Sequence, residues 1–84
     1  MGLKSIVSIN LLLAYCGAIA RNNGHIELAQ KLSEIAVSKK VEPIMVNTDK
    51  IHFIGISKNK VSIYTDKYLI EVDLETGKVN HFTR

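Results

Sequence analysis

IHFIGISKNKVSIYTDKYLIEVDLETGKVNHFT, residues 51–83, is the stretch whose reading decides the fold. It divides into four β-patterned runs: IHFIGIS (51–57), KVSIYT (60–65), YLIEVDL (68–74) and KVNHFT (78–83). The joints are Lys58-Asn59, Asp66-Lys67 and Glu75-Thr76-Gly77. β-Branched and aromatic runs separated by two or three turn-forming residues are the signature of consecutive hairpins. Gly77 supplies the left-handed residue that closes a three-residue loop without steric cost. Lys67 disfavours positive φ, so the middle turn is the least specified.

Register follows from these loops, because a slip of one residue turns every side chain to the other face. Ile56 is set against Val61, Ile54 against Ile63, Ile63 against Ile70 and Val61 against Val72. The last hairpin sets Val72 against Asn80 and Ile70 against Phe82. One face then collects Ile54, Ile56, Val61, Ile63, Ile70, Val72, Leu74 and Phe82, with His52 near its end. The other face is mixed: Ile51, Phe53, Gly55, Ser57, Ser62, Tyr64, Leu69, Glu71, Asp73, Val79 and His81. It holds a local patch of Phe53, Tyr64 and Leu69. An antiparallel sheet can leave such a face wet, and an apolar patch on it is a candidate contact surface.

Upstream, residues 6–20 (IVSINLLLAYCGAIA) are apolar. Ile6, Ile9, Leu13, Cys16 and Ala20 recur at helical spacing, and Val7, Leu11, Ala14 and Ala18 form a neighbouring stripe. With Ser5 as N-cap, this reads as a helix over about residues 5–22, buried on most of its circumference. Ala14, Gly17 and Ala18 are small and a turn apart, which permits close approach by another backbone. The same run, with Lys4 before it and Ala18-Ile19-Ala20 at its end, has the form of a signal peptide over residues 1–20. Ser8 and Asn10 interrupt that pattern, and about fifteen residues fall short of the ~20 a membrane span needs. The core helix is the favoured reading.

Arg21-Asn22-Asn23-Gly24 ends this helix, and HIELAQKLSEIAVSKK (25–40) begins a second, over about residues 25–39. Ile26, Ala29, Leu32, Ile35 and Ala36 share its inner face, and Glu27, Gln30, Lys31 and Glu34 its outer one. Lys39 and Lys40 suit the negative end of its dipole. Pro43 blocks further helix, and VEPIMV (41–46) reads as an edge strand, with residues 47–50 turning into the meander. The sheet thus spans about residues 41–83. The fold expected is α+β, a single domain over residues 1–84 in which two N-terminal helices cover one face of a four- to five-stranded antiparallel meander.

Chemistry is sparse. One cysteine, Cys16, excludes an internal disulfide and a multi-cysteine zinc site. His25, His52 and His81 do not converge at metal-ligand spacing, and the five glycines form no phosphate loop. No catalytic, cofactor or metal residue is assigned, and an enzyme is not expected. Residues 68–79, YLIEVDLETGKV, resemble hairpins of PepSY domains and quinoprotein propeller blades, which implies a good turn and no more. RNNGHIELAQKLSEIA resembles a fragment of one helix-turn-helix repeat, but repeat arrays need about three copies.

With 46% hydrophobic residues in 84, some apolar surface is expected to be buried between subunits. The function expected is a non-enzymatic protein-binding or regulatory module acting as a homodimer in the cytoplasm. Candidate interface residues are Ala14, Gly17 and Ala18 on the first helix, which offers the larger apolar area, and Phe53, Tyr64 and Leu69 on the sheet. One alternative is nucleic-acid binding through Lys58, Lys60 and Lys67 at one end of the sheet, on a net charge of +3. The other is an exported protein from which residues 1–20 are removed.

Overall fold

In the computed structural model, which describes residues 5–84, the meander is a four-stranded antiparallel sheet in the order β3-β4-β5-β6. Its strands are β3 (Ile51–Ser57), β4 (Lys60–Thr65), β5 (Tyr68–Asp73) and β6 (Val79–Thr83). Ahead of them come β1 (Ser5–Ser8), α1 (Ile9–Asn22), α2 (Ile26–Ala36) and β2 (Met45–Thr48). The two helices cover one face of the sheet, as α+β patterning requires. Ile9, Leu12, Leu13 and Cys16 of α1, Ala29 and Leu32 of α2, and Val61, Ile63, Ile70 and Val72 of the sheet form one buried cluster.

The first two hairpins keep the register expected from their two-residue turns. Ile54 pairs with Ile63, Ile56 with Val61, Val61 with Val72 and Ile63 with Ile70. The third hairpin is shifted by one residue: Val72 pairs with Val79, Ile70 with His81 and Leu69 with Phe82. Asp73 is the cause. Its carboxylate accepts the backbone N–H groups of Glu75 (2.8 Å) and Thr76 (3.1 Å), an Asx-type turn. The loop therefore runs over four residues, 74–77, and its mouth is closed by the Asp73 N–H donating to the Lys78 carbonyl (2.8 Å). The slip buries Val79 and sends Phe82, 49% exposed, to the open face.

A bulge between Ile51 and Phe53 turns Ile51 toward the core and leaves His52 exposed. His81 pairs with Ile70 and so belongs to the helix side of the sheet, where it is exposed and its ring lies 5.1 Å from that of Tyr68. Ile51, Val79 and His81 therefore lie on the helix side and Phe82 on the open side, each opposite to the face that the shorter, unbulged hairpins imply, and His52 is not on the apolar face.

The N-terminal half departs further from expectation. Residues 5–8 are a strand, and the first helix begins at Ile9 because the Ser8 hydroxyl, not Ser5, caps it by accepting the Leu11 N–H (3.2 Å). The second strand of the chain lies at Met45–Thr48, past Pro43, and pairs with β1 in a separate ribbon: Val7 with Val46 and Ser5 with Thr48. The segment 41–46 adds no fifth strand to the meander. The helix α2 ends at Ala36, short of Lys39 and Lys40, so these lysines do not sit in its last turn. Residues 1–4, including Lys4 at the head of the signal-peptide reading, lie outside the described residues.

Candidate protein-binding surface

The open face of the sheet is ordered into rows by its register. Directly opposed residues give Phe53–Tyr64–Leu69–Phe82, one side chain from each strand. The next row is Gly55–Ser62–Glu71–Asn80, and the one beyond begins Ser57–Lys60–Asp73. Cross-strand neighbours stand close enough for their side chains to touch, so the first row is a continuous apolar bar. Phe53 is 58% exposed, and its ring meets Tyr64 edge-on at 5.7 Å between centroids. That ring also lies over Gly55, where an added Cβ would come within 2.8 Å of it.

A shallow hollow of about 500 Å³ adjoins this bar, lined by His52, Phe53, Tyr64, Asp66 and Arg84. The His52 imidazole bonds the Asp66 carboxylate. That bond, with Lys50 and Arg84 nearby, holds the Asp66 carboxyl below the ordinary carboxylate range. The Arg84 guanidinium lies over the Tyr64 ring at 5.7 Å from its centroid and donates to the Thr65 carbonyl. These contacts hold Tyr64 half-buried in the middle of the bar.

Of the residues expected at an interface, Phe53, Tyr64 and Leu69 do come together, and Phe82 joins them. A three-residue loop puts Phe82 on the opposite face; the Asp-x-x-Thr-Gly pattern at residues 73–77 is the sequence signal for the longer loop that brings it here. Ala14, Gly17 and Ala18 separate. Gly17 is buried where α1 crosses α2, and its Cβ position lies 3.2 Å from the Ser33 hydroxyl and 3.4 Å from the Ala29 carbonyl. Its close-approach partner is therefore α2 of the same chain. Ala14 and Ala18 face outward with Leu11 and Tyr15, each of the latter 59% exposed, so α1 is buried on one side rather than on most of its circumference.

The lysines do not form one cluster. Lys58 and Lys60 lie at the β3–β4 turn and Lys67 at the β4–β5 turn, which a meander puts at opposite ends of the sheet, about 20 Å apart for six-residue strands. Lys60 is also engaged with Glu71 at 3.7 Å. Cys16 is fully buried, and burial pushes its thiol up to about 12. Among the described residues, no three His, Cys, Asp or Glu side chains are grouped to hold a metal, and no helix is long and apolar enough to cross a membrane.

No protein-family model, curated protein or solved structure matches this chain.

Proposed function

We propose that this protein is a non-enzymatic protein-binding module whose partner is a second copy of itself, joined through the sheet layer. The observation that carries this reading is the apolar bar Phe53–Tyr64–Leu69–Phe82, which crosses all four strands on the face the helices leave open. Exposed aromatic side chains set in one line among polar neighbours are the composition of an interface core. The helix route is set second, because the outward stripe of α1 (Leu11, Ala14, Tyr15 and Ala18) carries two large side chains where the bar carries four. Leu11 and Tyr15 are the large side chains it leaves outward.

Dispersal of Lys58, Lys60 and Lys67 between two ends of the sheet argues against a shared phosphate-binding surface. Removal of residues 1–20 would take away Ile9, Leu12, Leu13, Cys16 and Ala20, five of the fifteen buried apolar side chains among the described residues. A core helix explains that segment better than a leader does.

The test is solution mass by light scattering from low to high micromolar concentration. A dimer is expected, which Phe82→Glu converts to folded monomer and which Leu11→Glu leaves intact. A wild-type monomer throughout, or a dimer lost only on Leu11→Glu, overturns the proposal.

A further inference from the structure

The sheet has two edges, and they are not alike. β3 is interrupted by the bulge at His52, which discourages strand addition, whereas basic residues flank both edges, Lys50 and Lys58 on β3 and Lys78 and Arg84 on β6. β6 is regular, carries no lysine or proline within it, and is exposed from Asn80 to Thr83.

Which of its backbone groups are free follows from the register. The Asp73 N–H donates to Lys78 O at 2.8 Å, and the Arg84 N–H donates to Lys67 O. The even-numbered residues of β6 therefore bond inward to β5, and residues 79, 81 and 83 turn their N–H and C=O outward. The Val79 N–H is already taken, donating to the Glu42 carboxylate at 2.8 Å. Among the described residues, His81 and Thr83 remain as a free template.

We infer that two copies pair through β6 in antiparallel fashion about a twofold axis at Phe82, with His81 opposite Thr83 of the second copy. This inference rests on the self-association proposed above and specifies its geometry. Two observations select the register. Centring the axis on Asn80 or His81 would require the Val79 N–H, which Glu42 occupies. Centring it on His81 would also set Arg84 against Lys78 of the other copy, like charge against like. The axis at Phe82 uses free groups alone and sets Arg84 against Asn80. It forms four backbone hydrogen bonds between His81 and Thr83, the usual source of affinity in strand addition.

It also brings the two Phe82 side chains together at a non-hydrogen-bonded pair, where strands approach closest. The two apolar bars then run end to end across eight strands and touch at Phe82 alone, while the identical β6 edge meets itself as a twofold contact demands.

Single-cysteine scanning tests the register, because native Cys16 is fully buried. Among Asn80→Cys, His81→Cys, Phe82→Cys and Thr83→Cys, the Phe82→Cys protein is expected to cross-link fastest under mild oxidation. Thr83→Pro removes an outward N–H while sparing the bonds to β5, and is expected to give a folded monomer by light scattering and circular dichroism. Tyr64→Glu, two strands from the axis, is expected to remain dimeric. Fastest cross-linking at another position overturns the register. A dimer indifferent to Thr83→Pro but dissociated by Tyr64→Glu overturns edge pairing in favour of face stacking, and leaves the proposed function standing. A wild-type monomer overturns both.

Discussion

Gly77 has φ +77, and a Cβ on it would stand 1.7 Å from the Lys40 carbonyl oxygen. Gly24 has φ +82 and nothing within 4 Å of its Cβ position. Both sites strain a β-branched residue through the backbone, but only Gly77 adds a collision with the segment 40–42, whose Glu42 N–H donates to the Gly77 carbonyl (2.8 Å). Gly77→Val is therefore expected to lower the denaturation midpoint far more than Gly24→Val, and equal penalties would refute this account of the turn. Four residues earlier in the same hairpin, the Thr76 and Glu75 backbone N–H groups hold the Asp73 carboxyl below its ordinary range. A carboxyl depressed by folding stabilises above its unfolded pKa, and that contribution is lost as pH falls through its folded value. Acidification below about pH 5 should thus cost the wild type more than Asp73→Ala; parallel pH profiles in chemical denaturation would count against it.

Among the elements, the α1–α2 hairpin depends on one small residue. With Ser33 and Ala29 within 3.2–3.4 Å of the Gly17 Cβ position, Gly17→Leu must push the helices apart, at about 1–3 kcal/mol or more for an overpacked site. Ala18→Leu, one residue on and exposed, should be near neutral in the same urea titration. The elements also show what a sequence can reveal. The first two hairpins were legible because each is a local pattern: two polar turn residues fix a register that alternating Ile and Val must obey. The third differs by one residue, since the Asp73 carboxylate moves the start of the loop, and its signal lies in the Asp-x-x-Thr-Gly pattern rather than in the alternation of the strands. The ribbon was not legible at all. Ile6 and Val7 continue the apolar run of α1 without a break, and their strand partners, Asn47 and Val46, lie some forty residues away. As for the surface, Phe53, Tyr64 and Leu69 were readable as a patch, while its extension to the free edge depended on the corrected register.

In the whole molecule, Ile63 lies at the centre of the layer interface, fully buried between Ile54 and Ile70 on the neighbouring strands. Ile63→Ala should cost about 2–5 kcal/mol, which thermal or chemical denaturation will measure. Tyr64→Ala, on the opposite face, should cost about 1 kcal/mol, the scale of an aromatic pair. A midpoint for Ile63→Ala within error of the parent would be incompatible with the layer arrangement described.

Cys16 gives the chain a chronometer of its own. Its sulfur is enclosed and its thiol is held protonated, so a water-soluble thiol reagent can react only during moments when α1 lifts from the sheet. The labelling rate under native conditions then counts those openings, without a dye or an introduced probe. For Ile63→Ala the rate should rise by at least about thirty-fold, the kinetic image of a 2 kcal/mol loss.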